Sequence, residues 1–265
     1  MTSPFPPTQS VPARLWLYTN FDCNLSCSYC LASSSPRAPR RQIPLDGFRR
    51  LIDEASAAGI EEFFLTGGEP FLLPDIFERL EYAAERRPTT VLTNGMLLAG
   101  ARLQRISELK HLPLALQVSL DGECAPCHDA FRGPGSWART VQAIRCLVAA
   151  GLRVTIGATE TPANRAHLDR LGAFAHGLGL GEGDVFVRPL TRRGLSQEGL
   201  DLTPAELLPE LTVTAEGTYW HPQSAGEAML LSRSLSPLSA SLAVLRANFQ
   251  ALHGSGASPR PYRCA

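Results

Sequence analysis

Six short apolar segments, each followed by a stretch of helical period, run through this chain, and that alternation restricts its fold more than any other feature. The pattern predicts strands at Leu15–Thr19, Glu62–Leu65, Thr90–Leu92, Ala115–Leu120, Arg153–Ala158 and Asp184–Val187. Helices are predicted at Pro44–Ala58, Pro74–Arg86, Ala99–Glu108, Ser136–Ala150 and Asn164–Leu178. In the first of these Phe48, Leu51, Ile52 and Ala55 share one face, and Gly59 stands where the helix must stop. Near-continuous apolar strands joined by helices form a parallel sheet covered by those helices. Six units are too few for the closed eight-unit barrel. The expected fold is therefore α/β: a partial (β/α)6 TIM-like barrel, open on one side, with ligand sites at the C-terminal strand ends.

Three regions are expected: a Pro/Ser/Thr-rich flexible N-terminus at 1–13, a core at 14–190, and a short C-terminal α+β appendage at 191–265. In the appendage Leu202–Leu211 reads as a short helix, Thr218–His221 as a strand and Leu235–Leu252 as a longer helix, before a Gly/Ser/Pro-rich tail. A chain of 265 residues with 44% hydrophobic composition can bury a real core. Lys+Arg and Asp+Glu both total 25, so no global field draws it to nucleic acid or to a membrane surface, and neither is an expected partner. No apolar run approaches the ~20 residues of a membrane span, and the N-terminus lacks the apolar centre of a signal peptide. A cytoplasmic location is expected, where seven cysteines serve as metal ligands and free thiols more readily than as disulfides.

Directly after the first strand, Cys23, Cys27 and Cys30 fall within eight residues, separated by polar Asn24, Ser26 and Ser28. Three thiolates this close can grip one metal centre; in an iron-sulfur cube they leave one iron open to another ligand, as a catalytic site requires. A structural zinc site also uses short Cys spacings, and buried thiols are the third reading. The second strand ends in Thr66-Gly67-Gly68-Glu69-Pro70, where adjacent glycines let the backbone turn sharply and approach a ligand, and Glu69 adds an acceptor for a bound ammonium group.

The CxxxCxxC loop after the first strand and GGEP after the second resemble the radical S-adenosylmethionine (SAM) superfamily. Thr93-Asn94-Gly95 after the third strand, Ser119-Leu120-Asp121-Gly122 at the fourth, and the later His128-Asp129, Arg132-Gly133 and Gly135-Ser136-Trp137 resemble its twitch/SPASM branch. The resemblance covers about residues 14–190. It implies that Cys23, Cys27 and Cys30 hold a 4Fe-4S cluster whose open iron binds the amino and carboxylate groups of SAM. It further implies that Tyr29 packs near the adenine, that Gly67, Gly68, Glu69 and Pro70 form the segment receiving the amino group, and that Thr93 and Asn94 belong to the cofactor pocket. Ser119 and Asp121 would contact ribose or carboxylate, and Arg132 the carboxylate. The implied activity is reductive cleavage of SAM to a 5'-deoxyadenosyl radical for hydrogen abstraction, with a flavodoxin or ferredoxin as electron donor. The implied substrate is a peptide or protein; a small molecule in cofactor or natural-product synthesis, and a non-catalytic iron-sulfur protein retaining the fold, are the alternatives.

Other features stand apart from that pattern. Val154–Glu160 only loosely echoes a GxIxGxxE motif, and no role is assigned to Glu160. Cys124-Ala125-Pro126-Cys127-His128 has the spacing of a covalent haem motif, but that attachment needs an export route this N-terminus does not offer. Cys124, Cys127, Cys146 and Cys264 are four further candidate metal ligands, with free thiols the plainer reading. Cys264 stands where the twitch/SPASM branch begins its auxiliary-cluster ligands, and the chain runs one residue further. The expectation is a lost or truncated extension. Arg188, Arg192 and Arg193 could meet an acidic substrate group or form a solvated cluster; His167 and His176 read as surface residues of a helix.

Overall fold

The structure, a computed structural model, describes residues 13–203, 206–224 and 227–254. Thr2–Pro12, Cys264 and the Gly/Ser/Pro-rich tail lie outside the described residues. Six parallel strands follow in sequence order: β1 (Arg14–Tyr18), β2 (Glu62–Thr66), β3 (Thr89–Thr93), β4 (Leu114–Ser119), β5 (Arg153–Glu160) and β6 (Val185–Pro189). Between them run α1 (Leu45–Ala57), α2 (Ile76–Ala84), α3 (Ala101–Glu108), α4 (Ala125–Arg132), α5 (Ser136–Ala149) and α6 (Leu168–Gly177). The expected α/β class and βα alternation are both present, and no helix among the described residues is long and apolar enough to cross a membrane.

Side-chain alternation divides the sheet into two faces with different tasks. Leu15, Leu17, Phe63, Leu65, Val91, Leu116, Val118, Val154 and Ile156 pack outward under the helices, where Phe48, Leu51 and Ile52 of α1 and Ile144 and Leu147 of α5 meet them in one continuous core. The opposite face carries a small separate cluster, Trp16 stacked on Phe64 with ring centroids 4.5 Å apart and Leu92 beside them. Above these bulky residues the same face turns to Tyr18, Thr66 and Ser119, and a cavity opens there. The apolar floor thus sits at mid-strand and the polar groups at the C-terminal ends.

Three features depart from expectation. Leu202–Leu211 is not a helix in its described part: Thr203 and Glu206 form a reciprocal pair of the capping-box kind, but Pro209 follows within one turn and the chain extends into β7 (Leu211–Thr214). β7 pairs in parallel with β1 and continues through a hairpin to β8 (Gly217–Tyr219) and β9 (Leu230–Ser232), so one nine-stranded sheet has the order β6-β5-β4-β3-β2-β1-β7-β8-β9. The C-terminal helix, α7, spans Leu238–Gly254. At the β1–β7 seam the Trp16 indole donates to Glu210 at 2.7 Å, and the Arg14 guanidinium stands 3.5 Å from the same carboxylate. The third departure is α4, a helix within a segment with no predicted element.

Trp16→Ala removes a buried indole that both floors the cavity and holds the β1–β7 seam. It is expected to cost about 3–5 kcal/mol in urea unfolding, whereas Trp16→Phe, which keeps the ring and loses the hydrogen bond, should cost less than half of that.

Candidate functional site

The loop between β1 and α1 carries Cys23, Cys27 and Cys30 over the C-terminal strand ends, and the loop after β2 is interlocked with it. Gly68 N–H donates to Asn20 O and Glu69 N–H to Asp22 O, both at 2.9 Å, while Asn20 Nδ2 returns bonds to Glu69 O at 3.1 Å and Asp22 O at 3.0 Å. A Cβ at Gly68 would stand 2.0 Å from Asp22 O. The glycine is therefore needed for the approach of the cysteine loop. Further anchors are Ser28 N–H to Phe131 O of α4 at 3.0 Å and Leu195 N–H to Cys30 O at 3.0 Å. The second places the chain after β6 on the outer side of the cysteine loop.

The thiols sit among backbone donors. Leu25 N–H lies 3.4 Å from Cys23 Sγ and Ser34 N–H 3.3 Å from Cys30 Sγ. Cys23 is buried, and burial pushes its thiol up to about 12, against the lowering effect of the Leu25 bond. Cys27 is raised too, by burial first, with Arg132 opposing. Such thiols stay protonated near neutral pH until a cation replaces the proton. Three sulfurs, backbone N–H donors aimed at two of them, and an adjoining cavity of ≈ 140 Å³ form a donor set that fits an iron-sulfur centre.

The cavity wall brings together most of the predicted site residues: Cys23, Cys27, Tyr29, Cys30, Gly67, Gly68, Thr93, Asn94, Ser119 and Arg132. Three predicted residues are not on it. Pro70 is buried at the start of a 3-10 turn, Pro70–Leu72. Glu69 is fully buried and its carboxylate already accepts from Thr93 Oγ1 at 2.8 Å, Phe71 N–H at 3.1 Å and Asn94 N–H at 2.9 Å, tying the β2 and β3 loops together. Burial pushes this carboxyl up to about 7, with those three bonds opposing. So engaged, the carboxylate joins the β2 and β3 loops behind the cavity wall.

Asp121 is the third. Its carboxylate, 1% exposed, accepts from Arg132 Nε at 2.7 Å and Nη2 at 3.2 Å, from Thr159 N–H at 3.0 Å, and from the Tyr29 hydroxyl. Burial alone would raise its pKa; the Arg132 guanidinium outweighs that and holds it below the usual carboxylate range. The role is internal: Asp121 fixes Tyr29 of the cysteine loop and Arg132 of α4 where they line the cavity. Burial pushes His128 down to about 4, so it is neutral, and its Nδ1 accepts from Asp121 N–H at 3.1 Å.

Sequence reasoning missed Asn164. It reads as a helix start, yet α6 begins at Leu168, and buried Asn164 instead donates to Asp121 O at 2.6 Å and Thr159 O at 2.8 Å. Of the arginines after β5, Arg188 lines the cavity, whereas Arg192 faces Asp201 and Arg193 donates to Leu202 O. Pro222 and Gln223 close the same wall, with the Tyr18 hydroxyl on Pro222 O at 3.0 Å. Contrary to the expectation of free thiols, Cys124 and Cys127 face each other as a disulfide pair at the start of α4. Cys127 and His128 are both buried, which removes the haem-attachment reading. His176 is exposed as expected, but His167 is half-buried against Glu123, because a 3-10 turn before α6 turns it inward.

Comparison with known proteins agrees with this geometry. The family model of the radical SAM superfamily matches residues 17–170. The AdoMet-dependent heme synthase of Methanosarcina barkeri is 33% identical over 186 residues, 69% of this chain and 52% of that protein. The mycofactocin maturase MftC of Mycobacterium tuberculosis is 33% identical over 184 residues, 66% of this chain and 46% of that protein. The solved structure of anSMEcpe with bound AdoMet and Cp18Cys peptide superposes with a TM-score of 0.68 at 13% identity, over 89% of this chain and 81% of that one, a likeness of fold. The chain belongs to the radical SAM superfamily, whose members carry a 4Fe-4S cluster and bind SAM. It spans about half the length of the curated relatives it matches.

Gly68→Ala tests the interlock. With backbone oxygen in the way, it is expected to destabilise the fold by about 1–3 kcal/mol in urea unfolding, while Gly172→Ala within α6, where no atom lies near the added carbon and the backbone is helical, should cost nothing.

Proposed function

We propose that this chain reductively cleaves SAM at a 4Fe-4S cluster held by Cys23, Cys27 and Cys30, and that the resulting radical abstracts hydrogen from a peptide or protein substrate. The observation that carries the proposal is convergence: three thiols on one loop, Gly67, Gly68, Asn94 and Ser119 from three other strand ends, and Arg132 from α4 line a single cavity. When bound, the cluster supplies the electron that breaks the sulfonium bond, and SAM supplies the 5'-deoxyadenosyl radical.

The chain's own residues position and insulate. Leu25 and Ser34 N–H groups stabilise sulfur charge, and Gly67 and Gly68 leave backbone polar groups at the wall for the amino group. Arg132, anchored by Asp121, offers a fixed positive charge beside the cavity, suited to a carboxylate. Tyr29 gives a flat aromatic surface for the adenine, and the Trp16–Phe64 floor keeps water from below. Glu69, Pro70, Thr93 and Asp121 contribute by shaping the wall. A reduced flavodoxin or ferredoxin in the cytoplasm is the proposed electron source.

The peptide reading rests on the maturase relative and on the peptide-bound structure of similar fold. The equal identity to a heme synthase favours a small-molecule substrate as the second reading.

Anaerobic reconstitution with iron and sulfide, then dithionite reduction with SAM, should yield 5'-deoxyadenosine; Cys27→Ala should abolish it. Reduced, cluster-loaded protein that never cleaves SAM would sink the proposal. Because ligation must displace the Cys23 and Cys27 protons, iron incorporation should rise from pH 7 to pH 9, about tenfold in affinity per unit for each proton released. Loading that is flat with pH would show that the buried thiols are not the ligands.

A further inference from the structure

We infer that Glu123, Cys124, Cys127 and His167 form a second, structural metal site for zinc, separate from the three-cysteine loop. One ligand atom from each residue lies within 4.8 Å of every other. Tetrahedral zinc with Zn–S near 2.3 Å and Zn–N or Zn–O near 2.0–2.2 Å places its ligands roughly 3.3–3.8 Å apart. Once the Cys124–Cys127 bond is reduced, the two sulfurs must part to that spacing, and the Glu123 and His167 ligand atoms need a side-chain adjustment to meet them. Two thiols, an imidazole and a carboxylate are all donors zinc accepts.

A disulfide accounts for only part of this arrangement. Cys124 is the residue just before α4 and Cys127 lies in its first turn, with Cα atoms 5.5 Å apart, a spacing that suits a cross-link or a shared ion. A cross-link gives no reason for a histidine from the turn before α6 and a glutamate from the β4–α4 loop to converge on the same sulfurs. Glu123 Oε1 carries the present contacts, His167 Nδ1 at 2.9 Å and Arg170 Nε at 3.2 Å. Glu123 Oε2 is buried and has no hydrogen-bond partner. That oxygen can take an ion while the other keeps Arg170. The charges then balance: two thiolates and one carboxylate against Zn²⁺ and the Arg170 guanidinium.

Four protein ligands close the coordination shell, so the role is structural. The ion joins the loop after Asp121-Gly122 to the chain just past Asn164, and Asn164 itself holds Asp121 O. Thiols in the reduced state are required, as in any reducing compartment.

The test is independent of SAM chemistry. Protein carrying Cys23→Ala, Cys27→Ala and Cys30→Ala, isolated anaerobically with a reductant, should retain about one zinc per chain by mass spectrometry, as one closed four-ligand site requires. Cys124→Ser should lose it. His167→Gln and Glu123→Gln, both at partly exposed positions, should each weaken zinc by at least about tenfold, the scale seen when even an outer partner of a ligand is lost. In the same triple variant, cobalt(II) should give the intense visible bands of a tetrahedral thiolate site, and those bands should vanish when Cys124→Ser is added. Folded protein with two free thiols at Cys124 and Cys127 that takes up neither metal would overturn the site. So would metal binding indifferent to both His167→Gln and Glu123→Gln, or an intact Cys124–Cys127 disulfide surviving reductive isolation.

Discussion

The candidate site depends on a contact between two loops that leaves no space for a side chain. Asn20–Asp22, at the root of the cysteine loop, lies so close to Gly68-Glu69 that backbone N–H groups of one meet backbone oxygens of the other at 2.9 Å. Because β1 and β2 are adjacent and parallel, with Tyr18 opposite Thr66, both chains leave the sheet at the same height and in the same direction. The loops must then either diverge or zip together. Glycine makes the second outcome possible, and Asn20 fills the remaining bonds with its amide. The root of the cysteine loop, with Cys23 next to it, is thereby set by the sheet itself.

A second buried centre carries this order to the far side of the cavity. Asp121 gives its backbone oxygen to Asn164, its N–H to His128, and its carboxylate to Arg132, Thr159 and Tyr29. Taking a carboxylate and a guanidinium out of water costs several kcal/mol per ion after relaxation, and their attraction offsets that only when the remaining donors are also satisfied. Here they are, from β5, α4 and the cysteine loop at once. Such a network specifies geometry more than it adds stability. Its effect is to fix the direction in which Arg132 presents charge to the cavity.

Most of the fold was legible because its signal is local. Period-2 and period-3.6 patterns located every strand and helix of the parallel core except α4, whose opening Cys-Ala-Pro-Cys resembles a ligand motif more than a helix start. β7 was hidden by a genuine helix-start signature, Thr203 with Glu206, that Pro209 cuts short. The residue sets of the site were equally legible, since each motif ends a strand and parallel strands deliver their ends to one edge. Individual roles were not. Glu69 and Asp121 stand at strand ends like cofactor contacts, and the sequence pattern does not reveal that their carboxylates also accept from Thr93 and Asn94, and from Tyr29, Arg132 and Thr159. Asn164 and the pairing of His167 with Glu123 depend on how the β5–α6 connection folds back, which no periodicity records.

The C-terminal strands change how the cavity should be regarded. An open six-stranded sheet would leave β1 as an edge and the cysteine loop exposed on its outer side. β7 covers that edge in parallel register, Leu15 opposite Leu211 through Leu17 opposite Val213. At the other end of the sheet, the chain leaving β6 returns across the cysteine loop, where a Cβ on Gly194 would stand 2.2 Å from Cys30 O. Pro222 and Gln223 then complete the wall beside Tyr18, and Thr191 bonds Gln223 at 3.1 Å to join the two returning segments. The cavity beside the thiols is thus lined by residues from both ends of the described chain, Arg188 and Gln223 among them.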